Sequence, residues 1–334
     1  MNKILRFLEK YIIPKFLYRL FQPIYHYFLV ALAAFIYGFP SRKMFVIGVT
    51  GTKGKTTTCN LIAHIFNSNG LKTGMATTVN FRIGEEEWLN KTGHTMLGRF
   101  QLQKLLAKML KLGCHYAVIE TSSEGILQYR HRFIDYDMAV FTNLSSEHLE
   151  RHGGFENYRT AKIKLFEKIA KKENSFGVYN LDDKNVDYFL KPAVKNKYGY
   201  QIKLKIKNQK LNHILEIEDI NLLPDKSKFT VNKEDFEIPL IGEFNVYNTA
   251  AAICVAMFQN IPIKQIKKSL VNVKPIPGRM EKINEGQNFS VFVDYAHTED
   301  ALKEALSALR VFCKNKIIVV FGCGGDRDKA KRFK

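Results

Sequence analysis

The sequence has few cysteines and no two of them at C-x-x-C spacing: Cys59, Cys114, Cys254, Cys313 and Cys323 stand alone in apolar or loop settings. That argues against a zinc site or a disulfide framework and suits a reducing cytoplasm. Acidic residues are also scarce, 32 Asp and Glu against 51 Lys and Arg, for a formal net charge of +19 at pH 7. Such an excess invites a nucleic acid, a nucleotide or an anionic membrane as partner. No nucleic-acid-binding motif accompanies it. The lysines are spread over predicted helices and hairpins, as on a solvated surface, so no nucleic-acid partner is expected. Charge is missing altogether from residues 21–40, between flanking lysines and arginines. A membrane span needs roughly 20 apolar residues, but Gln22, Pro23, His26 and several tyrosines make this a poor one. No small-residue cleavage site follows, which argues against a signal peptide. The segment is expected to be a docked or interfacial amphipathic helix, with peripheral membrane contact through residues 1–44; a span is the second reading.

What is present is a chain of 334 residues, 46% hydrophobic and 25% charged, long enough for two domains and able to bury a core. Apolar runs alternate with amphipathic stretches. Helices are expected at 57–67, 102–112, 158–171, 246–259 and 264–271, and buried strands at 115–120, 137–142 and 175–180. This is an α/β pattern: a mainly parallel sheet with helices on both faces and ligands at the C-terminal strand ends. Residues 198–240 read as a small antiparallel excursion. After Pro275 a strand, helix, strand unit is expected at 290–294, 299–313 and 316–321, a partial Rossmann-like C-terminal domain. The expected division is thus 1–44 helical, 45–275 nucleotide-binding and 276–334 C-terminal.

The most specific stretch follows the apolar run Met44-Phe45-Val46-Ile47 and reads Gly48-Val-Thr-Gly-Thr-Lys-Gly-Lys-Thr-Thr-Thr58. A strand, a glycine loop and a helix in that order cradle phosphate: backbone N–H groups of Gly51, Thr52, Lys53 and Gly54 close on phosphate oxygens at the helix N-terminus, beside Thr57. Lys55 reaches the outer phosphates, and the Thr56 hydroxyl sits on Mg²⁺. Glu120 ends one strand and His148 follows another, so both fall beside this loop, where a carboxylate and an imidazole suit a metal-bound nucleotide. ATP and Mg²⁺ are therefore the expected cofactors.

Five residues, rather than the commoner four, separate Gly48 from Gly54-Lys55-Thr56. With that spacing, Thr-Gly-Thr-Lys-Gly-Lys-Thr-Thr-Thr resembles the loop of the Mur ligases, ATP-dependent amide-forming enzymes of peptidoglycan precursor synthesis. The resemblance extends in order along nearly the whole chain from residue 44. It implies that Lys162, in Tyr158-Arg-Thr-Ala-Lys162-Ile-Lys-Leu-Phe166, is carbamylated and helps to hold a second Mg²⁺. It implies that Asn248 meets the adenine, Arg279 the ATP phosphates and Asp294 the ribose. The stretch Glu120 to Arg130 resembles the acceptor segment of the branch that adds the third amino acid to UDP-MurNAc-L-Ala-D-Glu, which places Ser122, Gln128 and Arg130 on the acceptor. Thr77 and Thr78 are further acceptor candidates. Phe321-Gly-Cys-Gly-Gly-Asp-Arg-Asp-Lys-Ala-Lys-Arg332 resembles the same branch.

Three departures bear on function. Glu124 stands where the family has a histidine. Residues 1–44 stand in place of the family's UDP-gripping domain, and the family's Asp-Asn-Pro-Arg motif does not occur in the sequence. The C-terminal unit is accordingly expected to be incomplete. The resemblance implies a ligase in which a substrate carboxylate attacks the γ-phosphate of ATP and an amine displaces phosphate from the resulting acyl phosphate, with a UDP-MurNAc-peptide and an amino acid as substrates. The alternatives are a non-catalytic ATP-binding protein at a membrane surface and a folylpolyglutamate synthetase-like ligase.

Overall fold

A computed structural model of the chain describes residues 15–145, 149–202 and 211–322. Its centre is an eleven-stranded sheet whose middle strands are parallel. Strand β1 (Phe45–Thr50) lies between β5 (Tyr116–Glu120) and β6 (Tyr136–Phe141). Beyond β5 come β2 (Thr73–Ala76) and the antiparallel β3 (Asn80–Ile83) and β4 (Glu86–Leu89). Beyond β6 come β7 (Phe176–Asn180), β8 (Asn196–Gln201) and β9 (His213–Leu222), all parallel, then the antiparallel β10 (Ser227–Val231) and β11 (Glu234–Ile238).

The strand period of two divides the core between the sheet's faces. Ile47, Val49, Val118, Met138 and Val140 point to one face, where they meet Leu61, Ile65, Phe66 and the alanine-rich run Ala250–Ala252. Val46, Ala117, Ile119, Ala139 and Phe141 point to the other, onto Leu106, Leu165, Phe166 and Phe189. The helices on the first face are α2 (Lys55–Ser68), α8 (Glu243–Phe258) and α9 (Ile263–Leu270); α3 (Arg99–Lys111) and α6 (Phe155–Ile169) cover the second. Because both faces are covered, the central strands are apolar almost throughout.

The expected helices and central strands form, with ends shifted by a few residues. Two readings need correction. Residues 198–201, assigned to the antiparallel excursion, belong to the parallel sheet; the short helix Val186–Leu190 provides the crossover into β8, and antiparallel pairing starts only at β9 with β10. Residues 316–321 do not form a strand, because no described strand lies beside them to take up their backbone groups. Val320 is consequently 96% exposed. The strand expected at 290–294 is β13 (Val291–Val293), and it pairs antiparallel with β12 (Glu281–Ile283). Helix α10 (Glu299–Arg310) follows, and a small cluster of Ile241, Met280 and Ala305 joins this unit to the rest.

The first described helix, α1 (Lys15–Ile36), packs against α3. Val30, Ala33 and Ala34 are buried, while Ile24, Phe28, Leu32, Phe35 and Ile36 face outward and are exposed. Among the described residues no helix is long and apolar enough to cross a membrane.

Candidate active site

The glycine loop between β1 and α2 is held open by close approach of two neighbours. Gly51 has φ 150°, and a Cβ there would lie 1.9 Å from Thr142 Oγ1. At Gly54, with φ 80°, a Cβ would lie 2.1 Å from Asn248 Oδ1. Only glycine fits both the backbone and the space. The end of β6 then clamps the loop. Thr142 Oγ1 donates to Lys53 O (2.7 Å), Asn143 Oδ1 accepts from Lys53 N (2.9 Å), and Asn143 O accepts from Thr52 N (2.8 Å). The Thr52 hydroxyl is 3.1 Å from Tyr158 OH. Two ammonium groups converge on the same loop: Lys55 Nζ donates to Thr52 O at 2.7 Å, and Lys162 Nζ, from α6, to Gly51 O at 2.5 Å. Lys162 is only 1% exposed and lies over the Tyr158 ring.

Beside the loop, the buried Glu120 carboxylate accepts three hydrogen bonds, from Thr56 Oγ1 (2.8 Å), Thr78 N (2.8 Å) and Thr78 Oγ1 (2.9 Å). Arg279 Nη2 donates to Thr56 Oγ1 at 3.2 Å, so the segment after Pro275 reaches the same hydroxyl. A carboxylate and a hydroxyl side by side at a phosphate loop are hard oxygen donors of the kind Mg²⁺ takes alongside water and substrate phosphate. These residues fit one such ion. Among the described residues no three His, Cys, Asp or Glu side chains gather into a metal cage, and His148 lies outside the described residues. Lys162 as an ammonium offers no lone pair to a cation. Cys59, one turn after Thr56, has its thiol pushed well up by burial and by the nearby Glu120, so it stays protonated and unreactive.

Next to the loop is a cavity of about 590 Å³. Lys53, Gly54, Asn143, Asn180, Tyr247 and Asn248 line it on one side, and Lys303 and Glu304 of α10 on the other. Lys53 Nζ bridges the two sides at 2.9 Å from Glu304 Oε1. Asn248 thus lies beside the loop, at the cavity. Asp294 is not among the lining residues; its carboxylate is exposed and accepts from Met280 N and Ala296 N, both at 2.8 Å, which fixes the turn after β13. The sequence reading missed Asn143, Tyr158, Asn180 and Tyr247. Asn143 and Asn180 could have been found, since they stand at C-terminal strand ends, the ligand edge of such a sheet.

The acceptor candidates divide. Thr78 meets Glu120, whereas the buried Thr77 hydroxyl donates to Asn80 O (2.8 Å) and serves its turn. Ser122 Oγ accepts from Gly125 N (3.1 Å) and caps the short helix Ser123–Leu127. The half-buried Arg130 donates to Gln128 Oε1 through Nε (3.0 Å) and Nη2 (2.6 Å) and to Met96 O. Burial and the neighbouring Arg99 lower its pKa. Glu124 is exposed and paired with Arg151 at 2.6 Å.

The Mur ligase middle-domain model matches residues 49–256, and the model of the Mur ligase glutamate ligase domain matches 278–334. A UDP-N-acetylmuramoyl-L-alanyl-D-glutamate–2,6-diaminopimelate ligase of Geobacillus thermodenitrificans is 38% identical over 311 residues, covering 90% of this chain and 61% of the relative. A UDP-N-acetylmuramyl-tripeptide synthetase of Roseiflexus sp. is 37% identical over 320 residues, covering 91% and 62%. The chain thus spans about three fifths of the length of the curated relatives it matches. A solved ligase of the first kind superposes with a TM-score of 0.67 at 34% identity, over 86% of this chain and 58% of the other. The folylpolyglutamate synthase of Mycobacterium tuberculosis reaches the same TM-score at 15% identity, over 84% and 70%, a likeness of fold alone.

Proposed function

Because this chain belongs to the Mur ligase family, we propose that it is an ATP-dependent ligase that joins an amino acid to a UDP-MurNAc-peptide. The observation that carries the reading is the meeting of Lys55, Thr56, Glu120, Lys162 and Arg279, from four separate stretches of chain, at one glycine loop. ATP lies with its phosphates on the loop and its base in the cavity beside Asn248. Glu120 and Thr56 would hold Mg²⁺, which would supply positive charge to neutralise the transferring phosphoryl group. The acceptor, held by Thr78, Ser122, Gln128 and Arg130, presents a carboxylate to the γ-phosphate; Lys55 and Arg279 stabilise the spreading negative charge. An acyl phosphate results, and the incoming amine displaces phosphate to close the amide. His148 and Asp294 are proposed, from the family pattern, for the second metal position and the ribose.

Phosphate release from ATP and Mg²⁺, measured with and without UDP-MurNAc-L-Ala-D-Glu and with diaminopimelate or lysine, tests this. Release that requires both acceptor and amine is expected. ATP binding without turnover would point instead to a non-catalytic nucleotide-binding protein, and turnover with a folate to the folylpolyglutamate branch.

We also propose that α1 lies on an anionic membrane surface. Its outward face is apolar from Ile24 to Ile36, and Arg42 and Lys43 follow it in a chain of net charge +19. Cosedimentation with vesicles containing phosphatidylglycerol is expected to fall about tenfold or more for each of Phe28→Glu and Phe35→Glu, the transfer free energy of one phenylalanine side chain. Binding by both variants equal to that of wild type would rule the contact out.

A further inference from the structure

Behind the phosphate loop lies a buried polar network that the proposed chemistry does not use. Asn60, one turn after Thr56 on α2, and Asn80, the first residue of β3, are 6% and 1% exposed. Their amides donate to each other, Asn60 Nδ2 to Asn80 Oδ1 at 3.1 Å and Asn80 Nδ2 to Asn60 Oδ1 at 2.8 Å. Two further acceptors fix which way each amide points. Asn60 Nδ2 also donates to Thr56 O (2.9 Å), and Asn80 Nδ2 to Glu87 Oε1 on β4 (2.6 Å). Burial works against charge on Glu87, but hydrogen bonds from Asn80 and Arg82 hold its pKa below the usual value, so it stays an acceptor at pH 7. Asn80 Oδ1 is left 2.7 Å from the Thr77 hydroxyl, whose oxygen accepts from Val79 N (3.2 Å) and Asn80 N (3.0 Å). The turn closed in this way carries Thr78, which gives Glu120 two of its three hydrogen bonds. Thr78 arrives there because β2 runs parallel beside β5, with Ala76 opposite Ile119.

We propose that Asn60 and Asn80 are positioning residues for the metal–nucleotide site, a buried clasp that sets the Thr56 hydroxyl against the Glu120 carboxylate. One arm of the clasp reaches the backbone of Thr56, and the other reaches Glu120 through the Thr77–Thr78 turn. Their role rests on the reading of Thr56 and Glu120 as holders of Mg²⁺, and not on the identity of acceptor or amine. A pair of asparagines suits the place because each amide donates and accepts at once and adds no charge beside a cation site. An aliphatic pair would fill the space but leave Thr56 O and Glu87 Oε1 each short of a donor and orient neither ligand. An aspartate at position 80 would set a second carboxylate against Glu87.

Calorimetry of a non-hydrolysable ATP analogue binding to the full chain, once with Mg²⁺ and once with EDTA, gives the factor by which the metal tightens nucleotide binding. That factor is expected to fall about tenfold or more in Asn60→Ala and in Asn80→Ala, the usual effect of removing a group that orients a metal ligand. Affinity in EDTA should stay at the wild-type value. Because the two amides act as one unit, the double variant should lose little more than either single one. The two residues lie on different elements, so if one variant does not fold the other carries the same expectation. Asn67→Ala, on the same helix, is the matched control: Asn67 donates to Ala63 O (2.8 Å) and Thr73 O (3.3 Å) and accepts from Thr73 N (2.9 Å), tying α2 to the sheet away from Thr56 and Glu120. It should lower the melting temperature and leave the metal factor in place. In the ligase assay the clasp variants should need about tenfold more Mg²⁺ for half-maximal rate and recover most of kcat at saturating Mg²⁺. A wild-type metal factor in folded Asn60→Ala and Asn80→Ala, or a factor lost equally in Asn67→Ala, overturns the clasp and leaves the nucleotide reading standing. Equal binding by wild type with and without Mg²⁺ removes both. A factor lost only in the clasp variants, with no amide formed by wild type, upholds the clasp and removes the ligase reading.

Discussion

Phosphate release by the Lys55→Ala variant is expected to fall by about 10²–10³-fold, the usual consequence of removing one charged stabiliser of a transferring group. Lys55 Nζ sits 2.7 Å from Thr52 O, folded over its own loop, which is where a nucleotide's outer phosphates meet the helix N-terminus. Lys55 is only partly buried, and its hydrogen bond is to a carbonyl of its own loop. The variant should therefore melt within a few degrees of wild type, since the change removes no packing and leaves the clamp from Thr142 and Asn143 in place. Steady-state release with saturating acceptor and amine, together with a melting curve, separates the two effects. Full activity in a folded Lys55→Ala variant would place the phosphates elsewhere.

Lys162 is expected to give the other large effect, and its substitutions distinguish two roles. The family pattern has its Nζ add to CO₂ with loss of a proton, exchanging a cation for an anionic oxygen ligand. Carbamylation requires a primary amine, so Lys162→Arg and Lys162→Ala should both lose about 10²–10³-fold in turnover, the range for loss of an electrostatic contact at the reacting group. If the side chain serves only as a donor to Gly51 O, at 2.5 Å, the guanidinium of Lys162→Arg preserves that bond and most of the activity. Labelled bicarbonate gives a direct readout: a ¹³C carbamate signal in wild type that is absent from Lys162→Arg. Retained activity in the arginine variant together with no carbamate signal would leave Lys162 a purely structural residue.

Much of the site could be read along the chain because its parts are local. The glycines at 51 and 54, Lys55 and Thr56 fall within one strand-loop-helix unit, and their spacing alone leads to the expectation of a phosphate there. Glu120 was legible as a strand-end carboxylate, and its pairing with Thr56 follows from β1 and β5 lying side by side in parallel register. Thr77 and Asp294 are ambiguous in the sequence, since a hydroxyl or carboxylate near a turn suits a ligand or its own turn equally, and both make hydrogen bonds within their turns. The strand expected at 316–321 failed for a related reason, because β propensity describes a surface that needs a partner.

By itself, then, the sequence determined the α/β class, the phosphate loop and the helices and strands flanking it, since backbone sterics and the periods of helix and strand act over a few residues. Only the tertiary structure decided that Lys162 reaches Gly51 across 111 residues and Arg279 reaches Thr56 across 223. It alone turned His26 inward onto Arg99, 73 residues away, and left Phe28 and Phe35 outward. Such contacts depend on which faces pack together, a choice made by the burial of the whole core and not by any spacing along the chain.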